Sequence, residues 1–264
     1  WIKIRGVIAQ DNSNSPFARP SGASAIAKKI REAGEDKKVK AIVLDINSPG
    51  GTVASVQNIY SEIQRAKKNK KVVALFRDVA ASGGFYVAMA ADKIVAEPGT
   101  ITGSVGVIMQ TGNVEGLFEK LGVKVTPITS GKYKDMGSAF RPMSDAEKAI
   151  LQDMVDDTYG QFLAAVKSGR PNVKPEDMTE YTDGRIFTGQ RAYNLGFIDK
   201  LGGEEEALQL AGELAGVKNP KIIEQRSDSL RELIFSFGTS MENQTLAKQL
   251  QSIATPSVSY LWVH

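Results

Sequence analysis

Cysteine is absent from the 264-residue chain. That excludes disulfides, thiol nucleophiles and thiolate metal sites. Histidine occurs once, as His264 at the last position. The imidazole that usually activates a serine is therefore not available from the body of the chain, because terminal residues are poorly tied down. A metal site would have to be built from carboxylates alone, and no acidic loop of the EF-hand kind is present. No metal and no other cofactor is expected. No run of about 18 apolar residues occurs, so no segment reads as a bilayer span. A repeat of solenoid length is also lacking. Charge is nearly balanced, with 33 basic against 30 acidic residues and a net +3. The largest basic cluster, Lys67, Lys68, Lys70 and Lys71, falls between a helical stretch and a strand and reads as a solvated turn, so no nucleic-acid partner is expected. An initiating methionine is missing too: the chain opens on Trp1, already within a strand pattern, and the expectation is that an upstream signal or anchor has been removed.

What is present suits an α/β protein. The chain is 42% hydrophobic and 24% charged, enough for a sizeable core. Ile2 to Ala9 reads as a strand, Asp11 to Ser21 as an exposed loop with Pro16 and Pro20, and Ala23 to Glu32 as a helix. A unit then repeats. VKAIVLDI (Val39 to Ile46) is a buried strand, Asn47 to Gly51 a turn, and Val53 to Ala66 an amphipathic helix. VVALF (Val72 to Phe76) is the next strand, Ala80 to Gly84 a small-residue turn, and Phe85 to Ala91 a short apolar helix. Apolar strands alternating with helices predict a parallel sheet covered on both faces. Further strands are predicted at Lys93 to Ala96, Gly106 to Met109 and Val123 to Ile128, with a helix over Asn113 to Leu121. Ser144 with Glu147 three residues on is a capping box opening a long helix to about Ser168. Shorter helices follow near Gly189 to Asn194 and Glu204 to Ala215. The pattern predicts one compact unit, with a main domain over 1–202 and a helical C-terminal extension and tail over 203–264.

Two strand-to-helix turns, NSPGG (Asn47 to Gly51) and AASGG (Ala80 to Gly84), are where chemistry is expected. In a parallel α/β sheet, loops and helix N-termini converge at the C-terminal ends of the strands. Paired glycines let a substrate approach the unpaired backbone N–H groups there. Two such turns side by side form an oxyanion hole from backbone alone, in which one good donor is worth about 3 kcal/mol of barrier. Each turn by itself reads equally as a tight βα connection, and neither has the spacing of a phosphate loop. Ser82 sits at the tip of the second turn, where a nucleophile is presented, although Ala80 replaces the first glycine of a G-x-S-x-G elbow. Its base has to be a lysine or a carboxylate, and serine–lysine pairs are a known variant of triad logic. A lysine acts as a base only when neutral, which takes a depression of roughly 2–3 units from its free value of about 10.4. Lys132 and Lys134, in SGKYKD (Ser130 to Asp135), have Tyr133, Met136 and Phe140 nearby as apolar walls. Asp135 opposes the depression wherever its side chain meets that of Lys134.

Taken together, NSPGG, AASGGFYVAMAADKIVAEPGTITGSVGV and SGKYKD resemble the signal peptide peptidase A family over roughly Ile2 to Gly202. The order and separation of the three motifs carry the resemblance, and they match the shorter, single-repeat bacterial form. The resemblance implies a Clp protease/crotonase fold and a serine endopeptidase. Ser82 is then the nucleophile and Lys134, at the fifth position of the SGxxKD turn, the base, which makes Lys132 a bystander. Ser104, in TGSVG, implies a hydroxyl that helps hold the lysine, and the N–H groups of Gly51 and Gly83 the oxyanion donors. It also implies peptide substrates of the signal-remnant kind, a homo-oligomeric ring or dome, and a membrane anchor with the catalytic domain on the extracytoplasmic side. The loop Asp11 to Ser21 lies outside the resemblance. The tail SVSYLWV (Ser257 to Val263) reads as an apolar strand that packs on the body or on a neighbour, or else occupies the peptide groove. Rival readings are a stomatin-cleaving or phage capsid-maturation protease with the same catalytic pair, a crotonase-type acyl-CoA enzyme, and a non-catalytic assembly module. The acyl-CoA reading needs a glutamate in the turns, which contain only Ser48 and Ser82 as candidates.

Overall fold

The protein is described by a computed structural model over residues 1–10, 22–223 and 257–262. The predicted loop Asp11 to Ser21, His264 and most of the C-terminal extension lie outside the described residues. The strands are β1 (Ile2–Arg5), β2 (Ala41–Ser48), β3 (Gly50–Thr52), β4 (Lys71–Ala81), β5 (Lys93–Ala96), β6 (Ile101–Gly103), β7 (Ile108–Gln110), β8 (Ile186–Thr188), β9 (Lys200–Leu201) and β10 (Ser257–Leu261). The helices are α1 (Gly22–Glu35), α2 (Val53–Ala66), α3 (Gly83–Ala88), α4 (Glu115–Lys120), α5 (Asp145–Gly169), α6 (Pro175–Glu180), α7 (Gly189–Asn194) and α8 (Glu204–Ala215). The chain divides into two compact units. Among described residues the first holds 1–10, 22–108, 155–223 and 258–262, and the second holds 109–154 and 257.

The first unit is built on a parallel sheet in the order β1-β2-β4-β5-β9. Its central strands are rich in β-branched residues and buried on both faces. Ile42, Leu44 and Ile46 of β2 join Val72, Ala74 and Phe76 of β4 in one core with α1, α2 and α3. The alternate residues Val43, Val73 and Leu75 face Ala207 and Ala211 of α8. Asp45 lies on that second face, almost fully buried, and is satisfied by Trp1, Arg5 and Arg77. On the helix side, the buried Glu62 of α2 accepts from Arg31 of α1 and from Arg65, joining the two helices by charge as well as by packing.

β4 is twice the length read from the sequence, and it changes partner along its course. Its first half pairs with β5 and its second half, Val79–Ala81, with β6. Between them the register against β2 shifts, from Ile46↔Phe76 to Ser48↔Ala80. Asn47 clamps this irregular stretch: its amide donates to Asp78 and its oxygen accepts from Val79 N–H, both at 3.1 Å. Thr100 Oγ1 donates to Arg77 O at 2.7 Å, which satisfies a carbonyl that the bulge releases from the ladder.

The second unit is small. Val114 N–H donates to Ala139 O at 2.7 Å, and Phe118 meets Phe140 edge to face. The predicted capping box is present: Glu147 N–H donates to Ser144 Oγ, and Ser144 N–H to the Glu147 carboxylate. The strand predicted over Val123 to Ile128 does not form; this stretch carries no regular structure and Ile128 is 99% exposed. Its alternation is that of a strand, but a strand exists only where another strand takes up its N–H and C=O groups, and Pro127 removes one donor.

Candidate active site

β2 and β4 run in parallel and end at the two glycine turns, so the sheet itself carries NSPGG to the side of AASGG. The first turn is drawn tight by Ser48, whose buried Oγ accepts from Gly50 N–H at 3.1 Å. β3 then pairs along one edge with Ile8: Ile8 N–H donates to Gly50 O at 2.7 Å and Thr52 N–H to Ile8 O at 2.9 Å. Alternation along an extended strand turns the Gly51 N–H the other way. A Cβ at Gly51 would stand 1.8 Å from Ile8 O, so no other residue fits there.

Ser82 closes β4 and opens α3. It is 1% exposed, with φ 51° and ψ −115°, a region that residues with a Cβ rarely enter. Surrounding bonds hold it there: Ser82 N–H donates to Gly103 O at 2.8 Å, and Tyr86 N–H to Ser82 O at 2.8 Å. Ser104 follows β6 as Ser82 follows β4. The ladder pairs Ala81 with Gly103, which sets the two serines side by side, and Ser104 has the same φ of 51°. The site of a Cβ on Gly83 lies 3.1 Å from Gly51 N, so the two turns are in contact. Ser82, Ser104, Gly51 and Gly83 thus form one cluster in the first unit.

An extended segment lies on this cluster. β10 pairs antiparallel with β3, with Tyr260 opposite Gly51, and Trp262 N–H donates to Pro49 O at 2.8 Å. It occupies the edge to which Gly51 N–H points. At Gly50, which has φ 110°, an added Cβ would stand 2.0 Å from Tyr260 O and 2.7 Å from Gly83 N. The Tyr260 carbonyl and the Gly83 amide therefore crowd the same point. The Tyr260 side chain is fully buried, stacked on Tyr86 at 5.0 Å and edge to face with Phe162 at 4.9 Å, and its hydroxyl donates to Thr158 O at 3.0 Å. Burial raises the phenols of both Tyr86 and Tyr260 above their ordinary value.

Lys134 belongs to the second unit, as does Lys132. Lys134 lies in a turn, its N–H donating to Gly131 O at 3.1 Å, and its side chain is exposed. Asp135 does not turn to it: both carboxylate oxygens accept from Arg141, at 2.8 Å each. The guanidinium also donates to Glu147. The bond from Arg141 lowers the Asp135 carboxyl, and Arg141 with Ser144 holds Glu147 at about 2.

The peptidase family S49 model matches residues 64–218, more than half of the chain and with both turn residues Ser82 and Lys134 inside it. The chain belongs to peptidase family S49. A Clp protease model matches residues 19–100 of this S49 peptidase, the part that carries β2, β4 and both glycine turns. The fold is accordingly Clp protease-like, and the protein is a serine peptidase. It is 44% identical over 253 residues to a Synechocystis protein named as a protease, covering 94% of this chain and 86% of that one. It is 34% identical over 230 residues to an Enterococcus faecium protein named signal peptide peptidase SppA, covering 86% and 67%. An Arabidopsis thaliana chloroplastic serine protease named SPPA is 34% identical over 235 residues, 86% of this chain but 35% of its own length. No helix among the described residues is long and apolar enough to cross a membrane.

Several residues that shape the site of this S49 peptidase are not legible from motifs. Ser48 and Asn47 stand within NSPGG, where Ser48 makes a local bond to Gly50, but the bonds of Asn47 across to β4 depend on the strand register. Arg141 gives no signal beyond a charged residue in a loop. β6, three residues long, is missed because Ile-Thr-Gly alone has no period to detect.

Proposed function

We propose that the protein is an endopeptidase in which Ser82 is the nucleophile and Lys134 the general base. In the proposed cycle, neutral Lys134 takes the Ser82 hydroxyl proton as Oγ attacks the peptide carbonyl carbon. The tetrahedral oxyanion is held by the N–H groups of Gly51 and Gly83. The C–N bond then breaks, the Lys134 ammonium protonates the leaving amine, and Ser82 retains the acyl group as an ester. Water then gives a proton to Lys134 as its oxygen attacks the ester carbon; the C–Oγ bond breaks to release the acid, and the Lys134 ammonium returns the proton to Ser82 Oγ, which restores both the serine and the neutral amine. Ser104, beside Ser82, orients the lysine amine.

The observation that carries this reading is β10 on β3. An extended peptide is added to the edge to which Gly51 N–H points, with a carbonyl crowding the same point as the Gly83 amide. Strand addition is how a cleft takes a peptide without regard to most of its side chains. The pocket that receives Tyr260 then accepts a bulky apolar side chain of the substrate. Lys134 is exposed in the single chain, so this reading has its dry surroundings completed by a second copy in a ring, by the peptide, or by both. The 34% identity to a protein named signal peptide peptidase SppA supports signal-peptide remnants as the substrate class, and the proposal places their cleavage at a membrane on the extracytoplasmic side.

The test is labelling with a serine-reactive fluorophosphonate followed by peptide mapping. Modification at Ser82, lost in Ser82→Ala, is the expected result. Labelling that persists in Ser82→Ala contradicts the assignment.

A further inference from the structure

Lys134 has a carboxylate as its immediate chain neighbour. An acid free to approach the amine would favour the ammonium and take the base out of action near neutral pH. The structure removes Asp135 from that role. Its two oxygens are held in a fork by Arg141, at 2.8 Å from Nε and 2.8 Å from a terminal nitrogen. The same guanidinium reaches Glu147, which is 2% exposed and is itself fastened to Ser144 N–H and Oγ at 2.8 Å. Asp135, Arg141, Glu147 and Ser144 form a continuous chain from the lysine turn to the first turn of α5.

Two carboxylates share one guanidinium, so the cluster has no positive charge left over. Arginine suits this task better than lysine, because its planar fork holds both oxygens of one acid while another nitrogen serves the second. The other titratable groups of the turn are Lys132 and Tyr133, whose ammonium and ring stand 5.0 Å apart.

We infer that Arg141 is a positioning residue for the general base: it holds the Asp135 carboxylate away from the Lys134 amine and anchors the SGKYKD turn to α5. The inference rests on the reading of Lys134 as the base. It predicts that freeing Asp135 disables the lysine through charge, and that neutralising the freed acid repairs it.

The experiment is the pH dependence of kcat/KM on an apolar peptide, for the full chain and for Arg141→Gln, Asp135→Asn/Arg141→Gln and Lys134→Ala. In Arg141→Gln the acidic limb moves to higher pH by about one unit, with activity near pH 7 down roughly tenfold and recovered at alkaline pH. The double variant returns the limb to the parent position. A merely structural role for Arg141 lowers the rate evenly across pH and leaves the limb unmoved in both variants, which overturns the inference. Lys134→Ala separates the two claims: an inactive Lys134→Ala beside an unmoved limb defeats the positioning role alone, whereas an active Lys134→Ala defeats the base assignment and this inference with it. Where Arg141→Gln does not fold by circular dichroism, Arg141→Lys serves in its place. It keeps the charge but not the fork, and a smaller upward shift supports the inference while an unmoved limb overturns it.

Discussion

Ser82 and Ser104 both occupy positive-φ backbone that glycine usually fills, and each such residue stores on the order of 1–3 kcal/mol of strain. At Ser82 the strain is held by bonds to Gly103 O and from Tyr86 N–H. Ser82→Gly is therefore expected to raise thermal stability while abolishing peptidase activity, a pairing that calorimetry and an activity assay check together. Asn47 has the opposite role. Removing its side chain in Asn47→Ala strips a partner from Val79 N–H and from Asp78. The expected loss is about 1 kcal/mol of unfolding free energy in denaturant titrations, because a half-buried donor loses its partner. At this scale the serine and the glycines are legible as turn chemistry. Asn47 and Arg141 are not, since each acts on a backbone or acid that only the fold brings near.

Among the elements, those with a strong period are the ones read most closely from sequence. α2 spans Val53–Ala66 and β5 spans Lys93–Ala96, with the predicted bounds. The capping box at Ser144 likewise opens α5. β4 runs on to Ala81 because a bulge continues the strand past the polar Arg77-Asp78 pair, which pattern alone reads as its end. Val123 to Ile128 has the alternation of a strand but gains none of its bonds. In the proposed ring this stretch, with Leu121, Val123, Val125 and Ile128 exposed, is apolar surface available to a neighbour. Ile128→Lys is expected to lower the assembly state by light scattering and activity with it; unchanged mass would remove this stretch from the interface. β10 is the element on which the proposed peptide groove rests. If it marks the peptide groove, removal of residues 257–264 frees the edge of β3, and kcat/KM for short peptides rises several-fold. No change would mean that the tail does not compete with substrate.

For the whole molecule, acid stability depends on Asp45. Burial pushes its carboxyl up, but bonds from Arg77, Arg5 and Trp1 outweigh this and bring it to about 2. Its folded value lies below the unfolded one of about 3.9, so the stabilisation is fully present above that pH and is lost as the pH falls toward 2. The contribution is on the order of 2 kcal/mol. Asp45→Asn is expected to flatten the stability–pH curve between about pH 4 and 2 while lowering stability at pH 7, as read by chemical denaturation. The chain's architecture follows from the same economy of parts. A parallel sheet covered on both faces delivers two glycine turns to one place, where four backbone and hydroxyl groups are arranged by the ladder. The proposed general base, Lys134, is carried on the second unit.

The most direct test is kcat/KM on an apolar peptide for the parent, Lys134→Ala and Lys132→Ala, with the fold checked by circular dichroism. The account predicts a loss of at least about 10³-fold in Lys134→Ala and near-parental activity in Lys132→Ala. Full activity in Lys134→Ala, or a matching loss in Lys132→Ala alone, would contradict it and point to a different base for Ser82.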